Sequence, residues 1–518
     1  MTDILDPPND LACSRAADPL PMPLRDADVW TDHAVAEAGF IIRDTPIATV
    51  GGGIGSFVTA DYLRVAGGVL AADIRVLSNS CRPTQTYEHL TRVSQIPRTE
   101  RIRSDAASRP DNIWGFPSYA VQEAFQSRTP APLAQVLVEP VFADFYTPRL
   151  GAVLDGVERE AARIGYMDML ELGDVRTVRR RADSGYFAVL VPPAAGATPT
   201  AFRCRDVHVA VGYSGLGFLP ELRRFRTTHD DYHRWVHAYE DHEHVYQTLR
   251  ARPCTVLVRG GGIVASRILE RLLTDRARLG LQTQVVHLLR TYVDGTHGPH
   301  PWSRRRGADG FAYQGFNYPK SVWGGQLKAS MRRLEGAERA DAYAGIAGTT
   351  TAWRRSWQRQ LREGRAGGWY RTIAGVLDEV VPDSGGVTAR VRVADGTLLA
   401  SADFIIDCTG LNADVSEHMV LRDLLCHGGA GRNPLGRMNV ERTFELRGTA
   451  SGDGRIYLTG AAALGGYFPG VDTFLGLQIA AQEVVDDMAR RGHCLRMGSI
   501  RSIREWMRWA RRLPPLAS

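Results

Sequence analysis

The sequence contains no apolar run of about 18 residues, the length that crosses a bilayer, so we expect no transmembrane helix. Residues 1–32 are rich in proline and aspartate and lack an apolar signal core, so we expect no export and a cytoplasmic protein. The seven cysteines are scattered, without a Cys-x-x-Cys pair or an iron–sulfur spacing. This pattern argues against a dithiol reductase, a zinc ribbon and an iron–sulfur protein, and it indicates a reducing compartment.

Charge of one sign is also sparse. The formal net charge of +6 is small for 518 residues, and the heavy clustering of basic residues that is typical of nucleic-acid binders is missing. The balance fits a protein that binds anionic cofactors, and we predict neither a nucleic-acid partner nor a metal site. The hydrophobic share of 44% and the charged share of 23% are those of a soluble globular protein, and the length allows two or three domains.

What the sequence does have is a glycine-rich turn near its start. A short apolar run, Ile47–Val50, reads as a buried strand, and a helical pattern follows the glycines. In a dinucleotide-binding turn the first glycine allows the tight turn, the second lets the backbone approach a pyrophosphate, and the third lets helix and strand pack closely. A serine takes the third place here, and another serine stands where an acid usually binds the ribose. The residues assigned to this first cofactor site are Gly51, Gly53, Gly55, Ser56 and Ser78.

A second copy of the pattern follows about 200 residues later. The strand Thr255–Arg259 runs into three glycines and then a helix, and the next strand ends in an arginine without an acid. In NADP sites an arginine at this place binds the 2′-phosphate. Two such turns indicate two dinucleotides in one chain, most simply FAD and NADPH. The residues assigned to this second site are Gly260, Gly262, Ala265 and Arg290.

The order of these parts resembles the two-dinucleotide-domain flavoproteins, and among them most closely the monooxygenases that use FAD and NADPH. The resemblance covers residues 44–490 in layout. It implies crossings between the two domains at a Val-Ala-Val-Gly strand and an Asp-Cys-Thr-Gly strand, and a last FAD-binding segment after Tyr-Leu-Thr-Gly. The cofactor-binding residues that it adds are Gly212, Thr409, Gly410, Gly460 and Asp472.

The implied fold is α/β, with two Rossmann-like domains of the three-layer ββα type and the NADPH domain inserted into a discontinuous FAD domain. The prolines near the start predict a flexible leader. The basic amphipathic pattern at the end predicts a helix, and both packing on the body and contact with a membrane surface stay open. The predicted units are a leader over 1–38, FAD-binding parts over 39–250 and 401–495, an NAD(P)H-binding domain over 251–400, and the C-terminal helix over 496–518.

A weaker similarity points to the ornithine and lysine N-hydroxylases. Phe316–Pro319 is similar to their Phe-x-Asn-Glu-x-Phe-x-Pro stretch, without its glutamate, and Asp472–Leu475 is similar to their Asp-x-x-Leu. Gln95 matches their flavin-side glutamine. These similarities make Gln95 and Asn317 the candidates for catalytic roles. The fingerprints of Baeyer–Villiger monooxygenases and of flavin halogenases are absent.

The resemblance implies an FAD- and NADPH-dependent monooxygenase that acts on a small, amine-bearing biosynthetic substrate with O2 through a C4a-hydroperoxyflavin. Such an enzyme needs few acid–base side chains because the flavin carries the chemistry. One alternative is a flavin dehydrogenase or reductase that passes electrons from NAD(P)H to a quinone or another acceptor. Another is a degenerate flavoprotein that binds nucleotides for regulation alone.

Overall fold

The computed structural model describes residues 20–102, 104, 108–142, 146–194, 196–296, 306–314, 327–346, 351–352 and 354–516. Asn317 and the Phe316–Pro319 stretch lie outside these residues, so their predicted roles stay predictions. The described part of the chain contains two parallel sheets, each followed by antiparallel strands, and the helices that cover them.

The first parallel sheet is built around the strand Ile47–Val50, which is buried along its whole length. A strand that is covered on both faces needs apolar side chains at consecutive positions, and this run provides them. Helix Ile54–Val65 covers the strand and packs against the helices Leu150–Ile164 and Phe474–Arg490. In spatial order the strands are Ile456–Leu458, Asp206–Val209, Ile47–Val50, Ile74–Ser78 and Leu170–Leu172.

A mixed sheet has three strands between Leu170–Leu172 and Asp206–Val209 in sequence, and its two outer strands precede Ile47–Val50. Its three central strands pair in order as an antiparallel meander. In spatial order its strands are Val29–Trp30, Asp174–Arg181, Tyr186–Val191, Thr200–Cys204 and Ile41–Asp44.

The expectation of a flexible leader up to residue 38 is wrong for the part that the structure describes. Residues 20–38 form two short helices and a strand, and Trp30 and Val35 are buried. The buried Arg179 holds this segment, because its guanidinium donates to the carbonyls of Arg25 and Ala27 while it pairs with Asp423 at 2.7 Å. The prolines stop long helices here, but they do not prevent burial.

The second parallel sheet is built around Thr255–Arg259, which is followed by helix Ile263–Leu279. In spatial order its strands are Trp235–His237, Phe404–Asp407, Thr255–Arg259, Gln284–Leu289 and Tyr370–Ala374. An antiparallel meander packs beside it, with the strands Val376–Asp383, Gly386–Val393 and Gly396–Ala402. The whole module lies in sequence between two neighbouring strands of the first sheet, as an inserted domain does. The module is longer than the predicted domain over 251–400. Trp235–His237, before residue 251, and Phe404–Asp407, after residue 400, are both strands of its sheet.

The two modules are connected at several places. The crossing chains pair as a short antiparallel ribbon, Gly215–Leu216 with Leu411–Asn412. In addition, helix Gly336–Ile346 belongs to the second module in sequence and lies on the first module. Its Arg339 donates to the carbonyl of Gly465 at 3.1 Å, and the Tyr343 hydroxyl donates to that of Phe468 at 2.9 Å.

The remaining elements complete the two modules. A small sheet contains the strands Arg306–Ala308, Phe311–Gln314 and Thr351–Ala352. The other α-helices are Met22–Arg25, Asp32–Glu37, Gln85–Val93, Tyr119–Ser127, Ala131–Phe142, Tyr166–Met169, Pro220–His229, Glu243–Ala251, Leu327–Met331, Arg355–Ala366, Met419–Cys426 and Ser499–Ala510. Three-residue or four-residue 3-10 turns lie at Ala71–Asp73, Val415–Glu417 and Gly460–Ala463. A membrane-spanning helix would need a longer apolar stretch than any helix of the described residues offers.

The C-terminal helix Ser499–Ala510 docks on the first module through tryptophan indoles. Trp506 donates to the carbonyl of Phe116 at 2.9 Å, and Trp509 donates to that of Asp111 at 3.2 Å. Trp114, on the body, donates to the Ser502 hydroxyl at 2.9 Å. Glu505 on the same face is completely buried and accepts from the Leu516 amide. The helix is therefore held by polar contacts from its tryptophan face.

Candidate functional site

The first glycine turn leaves an open, positively polarised hollow. Gly51 has a φ of +97°, and a Cβ there would lie 2.5 Å from the Ala210 carbonyl oxygen, so a side chain is excluded. Gly53 is the N-cap of helix Ile54–Val65, and no side chain caps this helix. A Cβ on Gly53 would meet no atom within 4 Å. Free backbone N–H groups therefore face empty space, which is the arrangement that binds a phosphate.

The close helix–strand contact lies one residue earlier than expected. A Cβ on Gly55 would approach the Ala210 side chain at 3.2 Å and that of Leu477 at 3.4 Å, so Gly55 provides the tight packing that was assigned to the position of Ser56. Ser56 is buried in the first turn of the helix, and its hydroxyl has no hydrogen-bond partner among the described residues. Buried hydroxyl groups normally have a hydrogen-bond partner, and an anion bound at this turn would provide one.

Ser78 lies against the same turn, where the resemblance places the ribose contact. A Cβ on Gly52 would overlap the Ser78 hydroxyl, so the two residues touch. The hydroxyl accepts from the Ser80 amide at 2.9 Å and keeps its own proton to donate. One neutral hydroxyl thus replaces the usual carboxylate beside this turn.

The second turn repeats the geometry of the first. Gly260 has a φ of +133°, and a Cβ there would lie 2.9 Å from the Cys408 carbonyl oxygen. Gly262 is the N-cap of helix Ile263–Leu279, again without a side-chain cap. Ala265 lies in the first turn of this helix and is completely buried. Both glycine motifs therefore present uncapped helix N-termini, and both fit a dinucleotide pyrophosphate.

A buried histidine supports the second turn. The Nε2 of His287 lies 2.6 Å from the Gly260 carbonyl oxygen, which can only accept, so Nε2 carries the proton. The Nδ1 then accepts from the Tyr370 hydroxyl at 2.9 Å. Burial lowers the pKa of His287 to about 4. The neutral ring is thus the form that holds the turn.

Arg290 follows the strand Gln284–Leu289 and is exposed beside the second turn. The turn and this strand are joined by the hydrogen bond from the Gly260 amide to the Leu288 carbonyl, at 3.0 Å. The Arg290 guanidinium has no hydrogen bond or ion pair with the described residues. A guanidinium that no described residue pairs can bind a second phosphate group close to the pyrophosphate position.

Gly212 and Gly410, the glycines of the two predicted domain crossings, lie beside the linking ribbon in sequence, and Gly460 of the last predicted FAD-binding segment follows the strand Ile456–Leu458. Gly212, Gly410 and Gly460 all have positive φ, and a Cβ on any of them would meet no atom within 4 Å. Thr409 is fixed by its own amide, which donates to the Asp407 carboxylate at 3.0 Å. The Tyr213 hydroxyl donates to Asp472 at 3.0 Å and so joins the first crossing to the last predicted FAD-binding segment.

Gln95 lies at the boundary of the two modules. Its side-chain oxygen accepts from Arg271 on helix Ile263–Leu279 at 2.6 Å, and its φ of 63° is unusual for a residue with a side chain. Arg271 also makes two 2.9 Å bonds to Glu243. A cavity of about 570 Å³ opens here between the modules, lined among others by Glu88, Arg92, Arg98, Leu154, Glu270 and Asp275. The catalytic role of Gln95 stays a prediction.

Sequence reasoning missed several residues of this site. His208 bridges Thr59 and Thr459 at 3.2 and 2.9 Å beneath the first turn, and burial lowers its pKa to about 3. His287 plays the corresponding part beneath the second turn. Each histidine is flanked by apolar residues of a buried strand. A polar residue in such a run needs a buried hydrogen-bond partner, and this is the one sequence signal that could have indicated the two histidines. Arg271 and Tyr213 had no such signal.

A scan against family models and a search of curated proteins both found no match. Among solved structures, the chain is similar to the Kutzneria sp. 744 ornithine N-hydroxylase with reduced FAD, NADP+ and L-ornithine, at 13% identity, with 87% of this chain and 100% of that chain covered and a TM-score of 0.63. It is also similar to the FAD-bound cadaverine monooxygenase of the Erwinia amylovora desferrioxamine pathway. The identity is 12%, with 85% of this chain and 94% of that chain covered and a TM-score of 0.61. A further match is the bacillithiol disulfide reductase of Bacillus cereus, at 11% identity, with 87% of this chain and 100% of that chain covered and a TM-score of 0.51.

At these identities the likeness shows the fold. The chain shares the fold of these proteins and contains two helix-covered parallel sheets, which confirms the predicted α/β fold class. Hydroxylases and a reductase share this architecture, so the fold does not by itself select the reaction.

The open space at Gly53 gives a first prediction. Gly53→Val should fold but purify without FAD, because the new side chain meets no protein atom and fills the phosphate position. Gly498→Val is the matched control, since Gly498 is also an uncapped helix N-cap with no atom within 4 Å of its Cβ. Both variants should lose about the same stability, ~1 kcal/mol, from the poorer cap. Flavin absorbance per chain separates them, and full flavin in Gly53→Val would refute the assignment.

The buried His287 gives a second prediction, on pH. Its folded pKa of about 4 lies below its ordinary value of 6.5, so its contribution to stability is full above about pH 6.5 and is lost as the pH falls towards 4. His287→Gln should therefore flatten the fall in melting temperature over this window, at a lower stability near pH 7. His33→Gln, at an exposed histidine, is the control and should leave the slope unchanged. An unchanged slope in His287→Gln would show that folding does not lower the pKa of this ring.

Proposed function

We propose that this protein is an FAD- and NADPH-dependent monooxygenase that hydroxylates a small, amine-bearing substrate. The observation that carries the proposal is the pair of uncapped helix N-termini at glycine turns on two linked parallel sheets of one chain. Beside the second turn lies the Arg290 guanidinium, which no described residue pairs. Two anion-binding helix N-termini in this arrangement fit two dinucleotides.

The solved structures with this fold support the cofactors and the substrate class. One of them holds FAD, NADP+ and ornithine, and another holds FAD and is a cadaverine monooxygenase. Ornithine and cadaverine both carry a primary amine at the end of a flexible carbon chain. An amine with a free electron pair is the nucleophile that such oxygen transfer requires, so we assign an amine substrate to this chain as well.

Each part of the chain has a task in this proposal. The N-terminus of helix Ile54–Val65 binds the FAD pyrophosphate, and that of helix Ile263–Leu279 binds the NADPH pyrophosphate, with Arg290 on the 2′-phosphate. FAD, when bound, supplies hydride acceptance and oxygen activation. Helix Gly336–Ile346, which lies on the first module at Gly465 and Phe468, helps to keep water from the space between the modules.

The alternative is a reductase that delivers the electrons to another acceptor. A disulfide reductase has a similar fold, so the experiment below must also distinguish this alternative. The sequence has no Cys-x-x-Cys pair, and in the described part of the chain Cys204, Cys254 and Cys408 are buried without a disulfide partner. Cys426, by contrast, is disulfide-bonded. A redox-active Cys-x-x-Cys acceptor within the chain therefore lacks support, and we compare the proposal with transfer to a diffusible acceptor such as a quinone.

Isotope labelling tests the proposal directly. The FAD-loaded protein is incubated with NADPH, ¹⁸O₂ and a panel of diamines and basic amino acids, and the products are weighed by mass spectrometry. We expect one ¹⁸O atom in a hydroxylamine product, and hydrogen peroxide alone when the amine is left out. Rapid NADPH oxidation by a soluble quinone without oxygen, together with no labelled product from any amine, would contradict the proposal.

A further prediction concerns the choice of nicotinamide cofactor. Arg290→Ala should raise the KM for NADPH about tenfold or more, since charge-assisted contacts to a phosphate contribute ~1.5–3 kcal/mol. The KM for NADH should change little, because NADH lacks that phosphate. Arg278→Ala is the control, as Arg278 is an exposed arginine of the same module. An equal loss with both cofactors would mean that Arg290 supports the fold instead.

A further inference from the structure

The C-terminal helix exposes an apolar stripe to solvent. Ile500, Ile503 and Met507 are 70%, 61% and 42% exposed, and they stand three and four residues apart on one face of helix Ser499–Ala510. The sequence pattern places Trp506 and Met507 together on an apolar face. In the structure these two residues separate, because the indole of Trp506 turns to the body of the protein while Met507 faces outward.

The docking of this helix explains why the stripe is left uncovered. Its inward face is occupied by Ser502, Glu505, Trp506 and Trp509, which bond to the body or to the residues that follow the helix. The helix is thus already fixed without its aliphatic side chains. Phe116 is 65% exposed and stacks on Trp506 with a centroid distance of 6.4 Å, so it extends the apolar surface at the edge of the helix.

The same region is strongly basic. Glu505 is the one acid between residues 490 and 516, and it is buried, so no exposed carboxylate of this segment offsets the arginines. Arg504 and Arg511 are exposed on the same helix face as Ile500 and Met507. Arg490 and Arg491 pair with Asp487 at 3.0 Å. The other arginines of the segment are Arg496, Arg501, Arg504, Arg508, Arg511 and Arg512.

We propose that this face of the C-terminal helix docks on an anionic lipid surface. A helix that lies in the membrane interface inserts a few large apolar side chains to a shallow depth, and its basic residues meet the anionic headgroups. The stripe Ile500–Ile503–Met507 with Arg504 and Arg511 beside it has this form. The long arginine side chains can cover apolar surface while their charges reach the headgroups.

Charge complementarity favours a lipid surface over a second copy of the chain. A symmetric dimer through this face would bring the same patch of both copies together, and so arginine against arginine. Like charges at close range would oppose that contact. An anionic bilayer presents the opposite sign over a wide area and accepts the apolar side chains at the same time.

Vesicle flotation with the full-length, FAD-loaded protein tests the proposal. We expect the protein to float with vesicles of phosphatidylcholine and phosphatidylglycerol in a 3:1 ratio, to float weakly with pure phosphatidylcholine, and to be released by high salt. The double variant Ile500→Ser/Ile503→Ser and the double variant Arg504→Gln/Arg511→Gln should each lower the partition coefficient at least about tenfold.

Matched controls separate this surface from general effects. Leu399→Ser removes an equally exposed apolar side chain from the antiparallel meander, and Arg390→Gln/Arg392→Gln removes two exposed charges there, so neither control should change flotation. All variants should keep their melting temperature and their flavin content. Absence of flotation with anionic vesicles, flotation that survives both test variants, or an Ile503-dependent dimer in sedimentation without lipid would each overturn the proposal.

Discussion

The structure depends on two helix N-termini that no side chain caps. Each helix begins at a glycine that closes a turn after a buried parallel strand, Gly53 in the first module and Gly262 in the second. Unpaired N–H groups at the positive end of a helix dipole favour an anion in front of them. The positive φ of Gly51 and Gly260, the histidines beneath the turns and the open space before Gly53 all serve that one electrostatic arrangement.

The second constraint is the relative position of the two sites. The crossing ribbon joins the modules, and so does an ion pair in which the buried Arg267 bonds to Glu100 of the first module at 2.5 Å. Arg271 bonds to Gln95 across the same boundary. Two ring systems that exchange a hydride must be held within a narrow range of distance and angle. Contacts of this kind limit how far the modules can slide past each other.

Sequence reasoning was strongest where local pattern and local structure agree. A buried strand, glycines and a helix are consecutive in the chain, so both turns and the parallel sheets could be predicted. It failed where contacts join distant residues. Arg179 fixes the backbone carbonyls of Arg25 and Ala27 from about 150 positions away, which no proline pattern shows. His287 reaches Gly260 across 27 positions. Helical periodicity likewise placed Trp506 and Met507 on one face, because it cannot show which side chain finds a hydrogen bond.

The most direct measurement of the account is hydride transfer between the two sites. The FAD-loaded protein is mixed without oxygen with NADPH that carries deuterium at the transferred position. The account predicts loss of the oxidised-flavin absorbance, slower with deuterated than with ordinary NADPH, and weakened in Arg290→Ala. Flavin that stays oxidised while NADPH is bound at saturation, or two dinucleotides that compete for one site, would contradict it.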